Sequence, residues 1–323
     1  MDASVNLWKL RLSMAGTIAV IIGVSTLGLT MILSLLGTFS LFSLIVLVAA
    51  FNVGQWLFAP YLVNMIYGVR RLKDKEHPEL HHIVEKLSRR SGIKTPKLML
   101  SKIPIPNAFA YGSPLTGNNV AVTRGLLKEL ELEEVEAVIG HELGHLRHRD
   151  IQIMMFVSFL PSLFYMLARS MLFSGYYRGR GRRDSGGLAA IGGISMIVYF
   201  FLLIFTLSMS RLREYYADRH SMSVVDGGAR KLSEALAKIS SSTWRIQKTS
   251  RQRMALSGFK TLFIADPDRA GQDTADLYQA RHGAPDMELV NSILKRRITR
   301  FDSFMEMFST HPNIVKRLRV LKS

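Results

Sequence analysis

The stretch VIGHELGHLRHRD, residues 138–150, sets two histidines four positions apart with a glutamate directly after the first. Four residues make about one helical turn, so His141 and His145 leave the same helix face, close enough to share an ion, and Glu142 projects beside them. Two imidazoles on one ion with a carboxylate at hand is the chemistry of metal-assisted hydrolysis. A chain of this length matches H-E-x-x-H by accident on the order of one time in a hundred, the alternative being an exposed histidine pair on an amphipathic helix, so context must decide.

A catalytic zinc site usually has three protein ligands and an open position. The third histidine of the metzincin spacing is missing, because His148 stands where that pattern needs glycine and Ile151 where it needs histidine. A carboxylate is therefore required. Between Glu142 and Glu214 the only acidic residues are Asp150, at the start of an apolar segment, and Asp184, in a distal arginine-rich loop. Glu214, in SRLREYYADRH, is the best candidate. Asp218 follows it by one turn and is suited to accept a hydrogen bond from the free ring N–H of a metal-bound histidine, with His141 the favoured partner. The competing reading makes Glu214 and Asp218 a solvated face paired with Arg211, Arg213 or Arg219.

The elements that must bring these groups together are mostly apolar. Ile151–Ala168 and Leu188–Met209 each approach membrane-spanning length, and a hairpin of the two returns the chain to the level it left, making His145 and Glu214 neighbours. Arg178, Arg180, Arg182 and Arg183 lie in the connecting loop, against the preference for positive loops in the cytoplasm, so a partly inserted pair stays open as an alternative. Further upstream, no Asp, Glu, Lys or Arg occurs between Arg11 and Arg70, and Met14–Gly37 and Phe39–Ala59 are each long enough to cross a bilayer. A soluble helix pair seldom lacks a charged face for so long, and a cleaved signal peptide would have a shorter apolar core. Lys9 and Arg11 before this hairpin, with Arg70, Arg71, Lys73 and Lys75 after it, place both flanks in the cytoplasm.

Between the apolar pairs the chain is soluble in character. His77–Ser91 carries Leu80, Ile83, Val84 and Leu87 at helical spacing, with Gly92 as a stop. KLMLSK and NNVAVTRG read as short strands, and PIPNAFAYGSPLTG between them as a loop or irregular edge. Glu129, Glu131, Glu133 and Glu134 gather where a helix start favours acids, ahead of His141. The formal charge of +17 over 323 residues comes without a nucleic-acid recognition motif and is met by anionic lipid headgroups. With no cysteine in the chain, disulfides and thiolate ligands are excluded.

Taken in order, the N-terminal hairpin, PNAFAYG, VIGHELGHLRHRD, the second apolar pair, REYYAD, LFIADP and STHP resemble the HtpX-type heat-shock membrane metalloproteases, which are related to the CAAX prenyl protease. That resemblance implies zinc, one ion per chain, held by His141, His145 and Glu214, with Glu142 as catalytic base. It places His311 near the zinc, a candidate donor to the oxyanion. It implies an edge strand at Asn107, Ala108, Phe109 and Ala110 that takes an extended substrate through main-chain hydrogen bonds. It also implies quality-control cleavage of misfolded or damaged membrane proteins. The long polar insert between Pro267 and Met287 departs from the family.

The expected fold is mainly α: a polytopic membrane protein with a zincin-like α+β metalloprotease domain carrying a small edge-exposed sheet. Its parts are an N-terminal transmembrane hairpin (1–69), the first half of the catalytic domain (70–150), the second apolar hairpin (151–209) and the second half of the catalytic domain (210–323). The expected setting is the plasma membrane, with several passes and a cytoplasmic active site. The partners are lipid and unfolded or membrane polypeptides, without nucleic acid. A non-catalytic scaffold or lipid-binding protein with a structural metal is the reading from another class, and it predicts a closed site or a missing base. A transporter fails because the apolar segments carry almost no ionisable residues.

Overall fold

Residues 41–177, 185–249 and 286–322 are described in a computed structural model of the chain. The first apolar segment, Met14–Gly37, the arginine loop Arg178–Arg183 and most of the polar insert lie outside them. Within the described residues the chain forms two units, one of 41–55 and 154–206, the other of 56–153, 207–249 and 286–322.

Three helices enter the first unit: α1 (Leu41–Ile66), α5 (Asp150–Tyr177) and α6 (Ser185–Val224). Each contains a stretch long and apolar enough to cross a membrane. Large apolar side chains such as Phe42, Phe156 and Phe201 are exposed at 76%, 70% and 60%, which suits a lipid solvent and would be costly in water. The protein is a multi-pass membrane protein. About 20 helical residues cross a hydrocarbon core, so only part of the 40-residue α6 is needed for that. The apolar run ends at Met209, and from Arg211 onward the helix is charged and belongs to the second unit.

The second unit is a small sheet packed on helices. Its strands are β1 (Val69–Arg71), β2 (Lys97–Ser101), β3 (Ala108–Ser113) and β4 (Gly117–Thr123), in the order β1-β2-β4-β3. Only β2 and β4 run parallel, with Met99 opposite Ala121; the other two pairings are antiparallel. β3 is a regular edge strand where the sequence suggested a loop or irregular edge, because the turn at 114–116 folds it back on β4 despite its proline- and glycine-rich surroundings. Against the sheet pack α3 (Arg124–Glu129) and α4 (Leu132–Arg147), and on α4 in turn pack α2 (Pro78–Ser91) and α7 (Gly228–Thr249), with α8 (Asp286–Leu294), α9 (Arg300–Glu306) and α10 (Ile314–Lys322) completing the described chain. Leu87, Val120, Val138, Leu143, Leu236 and Leu318 meet in one core. Gly92, at φ 64°, ends α2 in the left-handed conformation that glycine adopts without steric cost.

Candidate metal centre

α4 carries the histidine motif, and its start is doubly capped. The Glu131 side chain accepts from the N3 backbone, while Glu134 accepts the backbone N–H of Glu131 at 2.8 Å. The acids gathered before the motif therefore fix the end of the helix that presents His141 and His145. A second device sets how closely α6 approaches. Gly140 and Gly144, each directly before a histidine, face α6 with no side chain. A Cβ on Gly144 would stand 3.0 Å from Ala217 Cα, and one on Gly140 would stand 2.9 Å from Val225 Cγ2. Ser221 also donates to the Ala137 carbonyl at 2.6 Å. Glycine at these two positions lets the α6 backbone come near enough for Glu214 to reach the histidines.

His141 Nε2 lies 3.2 Å from His145 Nε2, and the Glu214 carboxylate lies 3.6 Å from the first and 3.4 Å from the second. These three residues form a group that could hold a metal ion. The opposite ring nitrogens face other carboxylates. His141 Nδ1 is 2.9 Å from Asp218 and His145 Nδ1 is 2.6 Å from Asp150. A carboxylate on Nδ1 favours the proton there and leaves Nε2 as a lone pair directed at the centre. Asp218 is gripped in turn by the buried Arg317, at 2.9 and 2.6 Å, and Arg317 Nη1 stands 3.3 Å from Glu214. Arg213 Nε lies 3.1 Å from Asp150.

The donor set fits a tetrahedral first-row metal. With bonds of about 2.0–2.1 Å, adjacent ligand atoms of a tetrahedron stand about 3.3–3.4 Å apart, close to the three separations found here. Glu214 Oε2, buried, makes no aligned hydrogen bond, and such an orphaned oxygen is the kind of group an ion satisfies. The electrostatics agree. Burial alone would lower the His141 pKa, but Asp218 and Glu214 reverse this and raise it from 6.5 to about 10, so this pocket favours positive charge. Burial opposes the charge of Arg317 too, yet the same two carboxylates hold its pKa above the ordinary value.

The matching family model, that of peptidase family M48, spans residues 74–323. The chain belongs to peptidase family M48. It is 36% identical to the protease HtpX homolog of Thermoplasma acidophilum over 277 residues, covering 84% of this chain and 81% of that protein. It is also 36% identical to the HtpX homolog of Aeropyrum pernix over 315 residues, covering 96% and 94%. In fold it is similar to the crystal structure of S. mikatae Ste24p, with TM-score 0.59 and 17% identity over 99% of this chain and 67% of that one. As an M48 member the chain is a metallopeptidase, and its His141, His145 and Glu214 form the metal-binding triad of that family.

The other residues named from the sequence fall around this triad to different degrees. Glu142, 3% exposed, accepts the backbone N–H of Ala110 at 2.7 Å, so the edge strand touches the glutamate directly. Ala108 and Phe109 are buried, the latter between Tyr67 and Tyr111 at ring separations of 5.2 and 5.6 Å. Asn107 is buried as well, its N–H donating to Thr123 Oγ1 at 2.9 Å. His311 Nδ1 lies 3.2 Å from Glu214 Oε2. His148 stands apart as the exposed residue after α4, its ring 6.0 Å from that of Tyr216. Neither Asp150 nor Arg317 is a candidate on the sequence alone. Asp150 stands at the start of an apolar segment, and nothing in IVKRLRVLK separates Arg317 from the basic residues beside it.

Proposed function

We propose that this protein is a zinc endopeptidase that hydrolyses peptide bonds of misfolded or damaged membrane proteins at the cytoplasmic face of the membrane. The observation that carries the reading is the near-tetrahedral spacing of His141, His145 and Glu214 with Glu142 on the same helix, beside an edge strand. Zinc held there supplies Lewis acidity and makes water acidic enough to attack near neutral pH. Glu142 takes the proton of the attacking water and later gives it to the departing amine. The His311 ring, beside Glu214, is the candidate donor to the oxyanion. An extended substrate adds along β3 through main-chain hydrogen bonds, which reads shape more than sequence and suits a quality-control enzyme. Asn107, Ala108, Phe109 and Ala110 take part as the strand that aligns it, with the contacts made by backbone. Asp218 holds His141 in its tautomer.

The cytoplasmic assignment is supported by Arg70, Arg71, Lys73 and Lys75 directly after α1. The four-part division at residues 69, 150 and 209 is kept as the working domain scheme. A structural-metal scaffold is disfavoured by the glutamate poised beside a three-residue ligand group. Purified Glu142→Gln protein should retain about one equivalent of zinc by metal analysis and lose roughly 10²–10⁴-fold in cleavage of an unfolded membrane protein. Turnover near that of the unaltered protein in a zinc-loaded sample would remove Glu142 as the base.

A further inference from the structure

α9 and the turn after it expose an aromatic face that the metal centre does not use. Phe301, Phe304 and Phe308 follow one another at three and four residues, so they share one side of the helix and its continuation. They are 61%, 55% and 43% exposed, and the rings of Phe304 and Phe308 meet edge to face at 5.4 Å. Exposed aromatic clusters of this kind on a soluble face mark a binding surface. The opposite side is firmly held. Glu306, buried, accepts the Asn313 N–H at 3.0 Å and pairs with Lys316.

What lies against the aromatic face is indicated by Arg211. One nitrogen of its guanidinium, Nη1, donates to the carbonyls of Glu306, Met307 and Ser309 at 2.8, 3.2 and 2.8 Å, capping the end of α9. Arg211 is also the first charged residue after the apolar run of α6, two positions beyond Met209. At 1.5 Å per residue that is only about 3 Å along the helix, so the aromatic turn is bonded to α6 within one turn of the end of its apolar run. The apolar stripe of α6 continues past this point through exposed Leu212 and Tyr216. Exposed Lys295, Arg297 and Arg300 precede the aromatic residues and complement anionic headgroups.

We infer that the α9 turn docks on the lipid surface, Phe301, Phe304 and Phe308 entering the headgroup–acyl boundary while Arg211 fastens the turn to α6. Aromatic rings sit favourably at that depth, and the cationic residues before them face the anionic headgroups. The turn leads within three residues to His311, so contact with the bilayer also steadies the wall of the metal centre that His311 forms. The inference rests on the membrane placement of the chain and stands whether or not the protein is a peptidase.

The absence of cysteine allows the test in the full-length protein. Phe301→Cys, Phe304→Cys and Phe308→Cys are each spin-labelled, reconstituted into phosphatidylcholine–phosphatidylglycerol vesicles, and compared with label at Glu85→Cys, an exposed site on α2. Collision with oxygen relative to a water-soluble nickel chelate should be several-fold higher at the three aromatic positions than at residue 85. A ratio equal to that at residue 85 for all three would overturn the proposal. So would a water-like ratio that falls under protection only when an unfolded polypeptide is added in a Glu142→Gln background, which would assign the face to substrate instead.

Discussion

His145 Nδ1 sits 2.6 Å from a carboxylate oxygen of Asp150, the first residue of the apolar helix that follows the metal motif. The aspartate is 3% exposed and lies 3.1 Å from Arg213, so it is held as it holds the ring. Both histidines of the triad therefore have a carboxylate behind them, His141 from Asp218 and His145 from Asp150. Asp150→Asn keeps the shape and removes the charge that fixes the imidazole tautomer. Zinc affinity, measured by competition with a chelator, should fall about 10–100-fold. Affinity equal to that of the unaltered protein would show that the contact has no bearing on the metal.

Glu214 is separated from the motif helix by a long excursion of chain, and its place in the triad depends on the close approach at Gly144. Glu214→Gln should weaken zinc binding while leaving the fold in place, since an amide is a poor substitute for a charged ligand. Gly144→Ala should act on the same quantity indirectly. The added methyl at 3.0 Å from Ala217 Cα forces the α6 backbone outward by a few tenths of an ångström, with a stability cost of about 1–3 kcal/mol. A Gly144→Ala protein with unchanged thermal midpoint and unchanged zinc affinity would mean that α6 is not held by this contact.

Arg317 is the buried cation of the site, 2% exposed and bonded twice to Asp218. Arg317→Leu leaves that carboxylate buried with only the His141 ring beside it and should cost about 3–5 kcal/mol, read as a lowered thermal midpoint in zinc-free protein. Arg317→Lys should recover only part of it, because an ammonium cannot reproduce the two-pronged contact. Equal midpoints for the leucine variant and the unaltered protein would count against the pair as a stabilising element.

The triad was readable from the chain because helical spacing sets His141 beside His145, and an apolar hairpin returns the chain at Glu214. Asp218 followed from the same one-turn logic. Arg317 was not readable, since it meets Asp218 across 99 residues and its own helix gives it no distinguishing mark. Asp150 is no ligand, and its indirect role depends on a backbone turn, with Arg149 at φ 56°, that no spacing rule reports. The glycines before each histidine are a legible signal, small residues one turn apart on one face, of a close helix approach. In the sheet, β4 announces itself by the β-branched Val120, Val122 and Thr123, and β2 by the apolar run Leu98, Met99 and Leu100. β1 is too short at three residues to show a period, and β3 was masked by the glycine and proline around it.

Glu136 on α4 joins three helices, receiving Lys86 of α2 at 3.0 Å and Lys231 of α7 at 3.1 Å. Burial pushes its pKa up, but the two lysines more than offset this and hold it below the ordinary 4.5. A carboxylate whose folded pKa is depressed stabilises the protein above its unfolded pKa, and that stabilisation is lost as pH falls through the folded value. Glu136→Gln should therefore lower the thermal midpoint at neutral pH, with the gap from the unaltered protein closing as pH drops below 4.5. A gap of the same size at every pH would assign the loss to packing rather than to charge.

The last expectation concerns which side of the membrane the metal centre occupies. Arg70, Arg71, Lys73 and Lys75 follow α1 directly, and positive flanks stay in the cytoplasm. α5 and α6 each hold a stretch long enough to cross, so if the pair spans, the start of α6 at Ser185 is expected on the other side. A membrane-impermeant thiol reagent on intact cells separates these placements, because the chain has no cysteine of its own. Ser91 is buried and would be shielded on either side, so Arg89, 68% exposed at its side chain on the same helix, is the position to use. Arg89→Cys should remain unlabelled until the cells are opened, while Ser185→Cys should label at once. If Ser185→Cys also needs open cells, α5 and α6 enter the membrane without crossing it, and labelling of Arg89→Cys from outside would move the metal centre to the opposite face.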